Sequence, residues 1–499
     1  MKIFSSKDLK IIDQCTIDDQ CISSVILIEK AALVFTKWLL KKTKGKQKKF
    51  IIFCGQGNNG ADGLAIGALL EKKGFWVQYV ILKLSNTTSS EFSFYNQKLH
   101  SSAQTKLELN PHSCVEFIQK LDHDSIIIDA IFGSGLNRAL DKAYLDIIDA
   151  INRHPAKKYS VDIPSGMSAD LTITQSYIHA DECLSFEFPK LNFLFEETSH
   201  DLKNWNIKSI GLSPTCIEST ESNFHYTLKS DIQKLLKPRN AFSNKYNYGH
   251  ALLIAGSQNM AGAAILTGKA ALTGGCGLLT ILSNKDSYQS INAALPESMT
   301  MNENELSDEI LKAKKIKAIA IGPGMNNENG LEKILSIPTE IPKIIDAFAL
   351  NYLAKNIDKL AILRDTTIIS PHAGEMDRLI GVQKNSIERL ENSIEFAKKH
   401  GIIVILKSRY TQVIFPNGEV HFNSTGNPAM AKAGSGDVLC GIILSFLSQG
   451  YGLKESSLMA CYIHGKGGDM ARNSKHENSV LASDIIDAIP KTFKKINHK

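Results

Sequence analysis

The sequence predicts two α/β domains in tandem, each a mainly parallel sheet covered by helices. Three observations carry this. Short apolar runs such as Phe50–Cys54, Val77–Leu82 and Tyr159–Ile163 alternate with helix-like segments such as Tyr144–Arg153. A second alternation of the same kind begins at Ala251–Ala255. Between them the pattern lapses into the polar stretch SPTCIESTESNFHYTLKS, Ser213–Ser230, which reads as a linker. A length of 499 residues, 43% hydrophobic and 22% charged, supports large cores.

Composition also narrows the function. A net charge of +6 spread along the chain gives no dedicated nucleic-acid surface. No apolar run approaches the roughly 18 residues that span a bilayer, and MKIFSSKDLKIIDQ at the N-terminus has no apolar core of an export signal. The expectation is a cytoplasmic protein without membrane partners. Nine cysteines without a C-x-x-C pair fit reduced thiols, most of them small core residues.

In chain order, Ile3–Leu40 reads as helical, with apolar spacing through Ile22, Val25, Ile26, Ala31, Leu33 and Val34. Phe50–Cys54 is a buried strand, followed by GQGNNGADG and the helix-like LAIGALLEKKG. That is the strand-loop-helix order of a phosphate-approaching turn. The glycine order differs from G-x-G-x-x-G and the lysine of a P-loop is missing, so neither fingerprint applies. Strands at Ser125–Ile128 and Tyr159–Ile163 run into Asp129, before AIFGSGL, and Asp162, before IPSGM. Ligands of open α/β sheets gather at carboxyl strand ends, so Asn59, Asp129, Asp162 and Ser165 are expected to converge on one pocket. Turn-capping by each Asp is the alternative.

In the second half, strands are expected at Ala318–Ile321 before GPGMN, Lys343–Ile345 before DAFAL, Thr367–Ile369 before SPHAGEM, and Ile402–Leu406 before KSRYT. The chemistry is expected in TGNPAMAKAGSGDVLCG, Thr425–Gly441. Two glycines one residue apart permit a tight turn, and Val438, Leu439, Ile442, Ile443, Phe446 and Leu447 then mark a buried helix. A helix N-terminus there suits a polyphosphate, and Asp437 at its mouth can serve as a base. A glycine turn with an Asp cap is the alternative.

These motifs carry a resemblance. GPG at Gly322–Gly324, SPHAGEM at Ser370–Met376, Leu406-Lys407 and AGSGD at Ala433–Asp437, in this order, resemble the ADP- or ATP-dependent NAD(P)H-hydrate dehydratases. NNGADG, DAIFGSGL and VDIPSG make the first half similar to the NAD(P)H-hydrate epimerases. Together the halves resemble the fused bifunctional repair enzyme. The resemblance implies a Rossmann-like three-layer domain over residues 1–215 and a ribokinase-like α/β domain over residues 226–499. The substrates it implies are NADHX and NADPHX, reduced nicotinamides that have added water at ring carbon 6. The first domain would interconvert the R and S hydrates. The second would phosphorylate the S hydroxyl with ADP or ATP and expel phosphate.

The resemblance also assigns residues. In the second domain Asp437 would take the hydroxyl proton, while Ala263, Gly324 and His372 would touch the hydrate. Lys407, Ser408, Arg409, Tyr410, Thr411 and Gly436 would bind the nucleotide, with Mg2+, and the Gly434–Gly436 amides would hold the moving phosphoryl group. In the first domain Asn58, Asn59, Gly60, Ala61 and Asp62, with Gly133, Ser134, Gly135, Leu136, Asn137, Arg138 and Ala139, would line the hydrate site. Asp162 would bind the hydrate and act as proton-transfer base, and Asn59, Asp129 and Ser165 would hold a potassium ion. A homo-oligomer is also implied. Phe348, Ser408 and Asn326 depart from the family pattern, which usually has Asp, Gly and Gly there. Two other readings are a ribokinase-like small-molecule kinase that releases its phosphorylated product, and a nucleotide-binding sensor.

Overall fold

Strands apolar on both faces need cover on both faces, and the first such run, Lys49–Cys54, lies at the centre of a sheet with Phe50, Ile51, Ile52 and Phe53 all at most 3% exposed. The computed structural model describes residues 1–45, 49–83, 87–99, 106–136, 139–170, 176–328, 331–335 and 340–497. The chain divides into two units, Lys2–Ser222 and Asn223–Lys499, with Met1 grouped with the second.

In the first unit, α1 (Ser6–Asp19) and α2 (Ser24–Lys42) replace the single helical run expected over Ile3–Leu40. The break has a local cause: Cys21 adopts φ 51, and Ser23 is extended ahead of α2. The sheet contains β1 (Lys49–Cys54), β2 (Trp76–Leu82), β3 (Lys106–Leu109), β4 (Ile126–Ala130), β5 (Lys157–Val161), β6 (Glu182–Phe186) and β7 (Trp205–Lys208). Their order is β3-β2-β1-β4-β5-β6-β7, with every pair parallel. The order reverses between β1 and β4, where an open α/β sheet leaves a crevice. Helix α3 (Asn58–Glu71) starts at that point. It does so in close contact, since a Cβ on Gly60 would lie 1.8 Å from the Gly55 carbonyl oxygen. Helix α4 (Lys142–Arg153) covers the segment expected from Tyr144.

Ser213–Ser230 is not a featureless linker. Ser213 caps α5 (Pro214–Ser219), and its hydroxyl donates to Asp19 of α1 at 2.7 Å. Cys216 on α5 is bonded to Cys15 on α1, 201 residues away. Sequence polarity hid this docking because the fixing groups are Ser, Thr and Cys. The bond also corrects the expectation of reduced thiols throughout. Of the seven free cysteines, only Cys21 is exposed.

The second unit contains β8 (Phe224–Thr227), β9 (His250–Ile254), β10 (Leu278–Leu282), β11 (Met299–Met301), β12 (Ile316–Ile321), β13 (Lys343–Ile345), β14 (Thr367–Ile369), β15 (Ile403–Leu406), β16 (Gln412–Ile414) and β17 (Val420–Asn423). They run in the order β8-β17-β16-β15-β14-β13-β12-β9-β10-β11. Pairs are parallel except β15–β16 and β16–β17. Helices α6 (Ala261–Gly274), α7 (Ala373–Ile380), α8 (Ser435–Ser448), α9 (Leu453–Ser474) and α10 (Ala482–Asn497) flank this sheet. Every residue of α8 from Val438 to Ser448 is buried. A Cβ on Gly441 would sit 2.2 Å from the Thr267 carbonyl oxygen, so α8 and α6 meet backbone to backbone. Among the described residues no helix is long and apolar enough to cross a membrane.

Candidate active sites

In the first unit, a cavity of about 680 Å³ opens at the carboxyl ends of β1, β4 and β5. Asn58, Asn59, Asp62, Gly133, Ser134, Gly135, Leu136 and Asp162 line it, as expected. Gly60 and Ala61 are buried in the turn of α3 and do not line it, and Ala139 is exposed elsewhere. Asn137 and Arg138 lie outside the described residues.

Asp162 follows β5 at φ 66, a conformation that turns its carboxylate inward. Its Oδ1 accepts from Phe186 N–H at 3.0 Å and from Lys190 Nζ at 2.8 Å. The Lys190 side chain is only 1% exposed, so this ion pair is sealed into the cavity wall. Asp13 on α1 lines the same cavity. Burial first, then the charge of Asp162, pushes the Asp13 carboxyl up to about 7, against the pull of Lys190. Asp62 is raised well above the usual carboxylate range by burial, then by Asp162 and Asp13. The sequence reading missed Asp13 and Lys190. Asp13 sits in an ordinary amphipathic helix, and Lys190 in a loop without motif spacing.

Asp129 and Ser165 do not reach the cavity; they form a wholly buried clamp beneath it. Asp129 Oδ2 accepts from Ser160 Oγ and Ser165 N–H at 2.8 Å each, and its Oδ1 accepts from Ile131 N–H at 3.3 Å and from Ser165 Oγ. Phe132 N–H in turn donates to Ser165 Oγ at 2.8 Å. Asn59 Nδ2 donates to the Phe132 carbonyl at 2.8 Å, and Asn59 Oδ1 is buried with no hydrogen-bond partner among the described residues. Among the described residues Asp129 has no ion-pair partner, and burial raises its carboxyl despite the serine hydrogen bonds. The buried Asn59 Oδ1 and the Asp129 carboxylate are oxygen donors of the kind that a hard monovalent cation takes.

In the second unit, the site forms where β13, β15 and α8 end or begin. Gly434 caps α8 at φ 86, placing Asp437 in the first turn. Lys407, just after β15, donates to Asp346 Oδ1 at 2.8 Å and lies 3.9 Å from Glu375 Oε2. Burial alone would lower the Lys407 ammonium, but Asp346 and Glu375 hold it above its ordinary value. A Cβ on Gly436 would lie 3.5 Å from Lys407 Nζ and 3.9 Å from Asp346 Oδ2, so the glycine loop, the lysine and the aspartate adjoin. Asp437 is pushed up to about 7, by burial first and then by Asp346, with Lys407 opposing. His464 Nε2 lies 3.3 Å from Ser435 Oγ, and burial holds this histidine down to about 4, so it is neutral.

Gly324 adopts φ 64, and a Cβ there would meet Ala263 Cβ at 2.7 Å, so these two expected hydrate contacts are neighbours. His372 caps α7: its Nδ1 accepts from Glu375 N–H at 3.2 Å, while its ring stays 57% exposed. The backbone of His372 bridges to Lys407, which ties the cap to the lysine. Ser408, Arg409, Tyr410 and Thr411 form the turn into β16, with the Arg409 guanidinium 4.5 Å from the Tyr410 ring centre. Glu375 and His464 were not anticipated; neither residue type stands out in its local sequence.

Residues 251–491 match a family model described as NAD(P)H-hydrate dehydratase, and residues 24–192 match one described as YjeF-related protein N-terminus. A bifunctional NAD(P)H-hydrate repair enzyme of Moorella thermoacetica is 28% identical over 100% of this chain and 98% of its own length. The chain belongs to the bifunctional NAD(P)H-hydrate repair enzyme family. As a member of that repair-enzyme family it joins an epimerase domain to a dehydratase domain of ribokinase-like fold. Among solved structures, a ribokinase-like superfamily protein of Enterococcus faecalis V583 is 28% identical, with 56% of this chain and 98% of that chain covered and a TM-score of 0.50. The ADP/ATP-dependent NAD(P)H-hydrate dehydratase of Bacillus subtilis, co-crystallised with ATP/Mg2+, is 30% identical over 55% of this chain and 98% of its own, with a TM-score of 0.49.

Proposed function

We propose that the second unit dehydrates S-NADHX and S-NADPHX at the expense of ADP or ATP, with Asp437 as the base. The observation that carries this is Asp437 at the first turn of α8, raised to about 7 beside the Lys407–Asp346 pair. Asp437 takes the proton of the C6 hydroxyl as its oxygen bonds to the terminal phosphorus, and the bond from that phosphorus to the bridging oxygen breaks. AMP leaves from ADP, or ADP from ATP. Phosphate then departs with the C6–O electron pair and a proton leaves C5, which restores the ring double bond. Lys407 and the N–H groups at the start of α8 stabilise phosphate charge, and the turn Ser408–Thr411 receives the rest of the nucleotide. Ala263, Gly324 and His372 face the hydrate. Mg2+ would accompany the nucleotide and neutralise its charge.

In the first unit we assign Asp162 and Asp13 as the proton-transfer pair that interconverts the R and S hydrates. Asp162, held in place by its 2.8 Å contact with Lys190, accepts the proton, whereas Asp13, raised to about 7, carries one near neutral pH. Asn59, Asp129 and Ser165 would hold potassium, whose positive charge compensates Asp129. The reading extends to a homo-oligomer in the cytoplasm, with domains over residues 1–215 and 226–499.

The test is to mix the purified chain with NADH hydrate and ADP or ATP, then follow reduced-nicotinamide absorbance and free phosphate. Both should rise together. A phosphorylated hydrate that accumulates without NADH would instead support the small-molecule kinase.

A further inference from the structure

Outside both sites, three potential ligands converge on one face of the second sheet. His225 on β8 and His421 on β17 are register partners in a parallel pair, and their rings stack with centres 4.5 Å apart at 14°. Glu419 ends the β16–β17 turn. Its Oε1 lies 2.7 Å from His421 Nε2 and 3.6 Å from His225 Nε2. The three side chains are only 15–20% exposed. Lys454 Nζ donates to the other carboxylate oxygen, Oε2, at 2.6 Å, which leaves Oε1 turned toward the imidazoles.

We propose that His225, Glu419 and His421 form a Zn2+ site that clamps β8 to β17. Two imidazole nitrogens and one carboxylate oxygen are a donor set for a borderline divalent ion, with solvent in the fourth position. Tetrahedral Zn2+ places its ligand atoms roughly 3.3 Å apart at its usual bond lengths. The observed 2.7 and 3.6 Å straddle that spacing, and the stacked imidazoles would turn about their Cβ–Cγ bonds to aim both Nε2 lone pairs at one ion. Lys454 then orients the carboxylate from behind. The clamp lies close to the nucleotide turn: Asn423, two residues past His421, donates its N–H to the Thr411 carbonyl at 2.8 Å.

The experiment titrates the untagged, chelator-stripped full chain with Zn2+ by calorimetry, and with Co2+ by visible absorption. Wild type should bind one equivalent, raise its melting temperature, and give Co2+ bands without thiolate charge transfer. His225→Ala and Glu419→Gln, checked for native circular dichroism, should each lose that equivalent and the thermal shift. Glu419→Gln preserves shape if the histidine variant fails to fold. No binding by wild type, or the same equivalent retained by the Glu419→Gln chain, overturns the proposal.

Discussion

Asp437 and Asp13 are both raised to about 7, chiefly by burial and then by a neighbouring carboxylate. The sign of the consequence follows from linkage. Between the ordinary carboxylate value of 3.8 and about 7, the folded state binds the Asp437 proton more tightly than the unfolded state. This contribution to stability is therefore present at low pH and is lost as pH rises through that window. Asp437→Asn cannot ionise, so its melting temperature relative to wild type should climb between pH 4 and pH 7; calorimetric scans at the two ends check this. The active base is the carboxylate, so kcat/KM for dehydration should rise with pH through about 7. For Asp13→Asn the expected loss of epimerisation is about 10²-fold or more, the usual range for a proton-transfer group. Dehydration of pure S hydrate by that variant should be unchanged, as chromatography of the hydrates can establish. Asp437 was legible because glycines and a hydrophobic run frame it. Asp13 was not, because its partners Asp162 and Lys190 stand far from it in sequence and only the fold gathers them.

At the scale of elements, strands closed by a distinctive loop could be read directly: β13 and β14 have the residue ranges expected from DAFAL and SPHAGEM. Short strands of mixed polarity escaped. β17 is four residues long with half-polar composition, and its place comes from antiparallel pairing with β16 rather than from its own pattern. Helix α5 escaped for a related reason, since a disulfide and serine hydrogen bonds dock it instead of an apolar face. The close start of α3 yields a sharp prediction. Gly60→Ala would place a methyl 1.8 Å from the Gly55 carbonyl oxygen, forcing the cavity's turn to move. Overpacking of this kind costs about 1–3 kcal/mol, so the first unit should melt several degrees lower, and epimerisation should fall with it. Unaltered melting and activity would mean that the turn tolerates a wider approach.

At the scale of the molecule, the division between the two units lies at Ser222 and Asn223. Fragments 2–222 and 223–499 should each unfold cooperatively, as measured by circular dichroism during heating, with the Cys15–Cys216 bond retained inside the first. Failure of both to fold would contradict independent units. The central claim is that hydrate epimerisation and nucleotide-dependent dehydration occupy separate sites, with Asp437 serving the second alone. The most direct measurement gives Asp437→Asn pure R hydrate with ADP or ATP and follows the R and S hydrates by chiral chromatography beside reduced-nicotinamide absorbance. The account predicts S hydrate formed at the wild-type rate, and NADH regeneration slowed by about 10²- to 10⁴-fold. Full regeneration of NADH, or loss of S hydrate formation in the same variant, would contradict it.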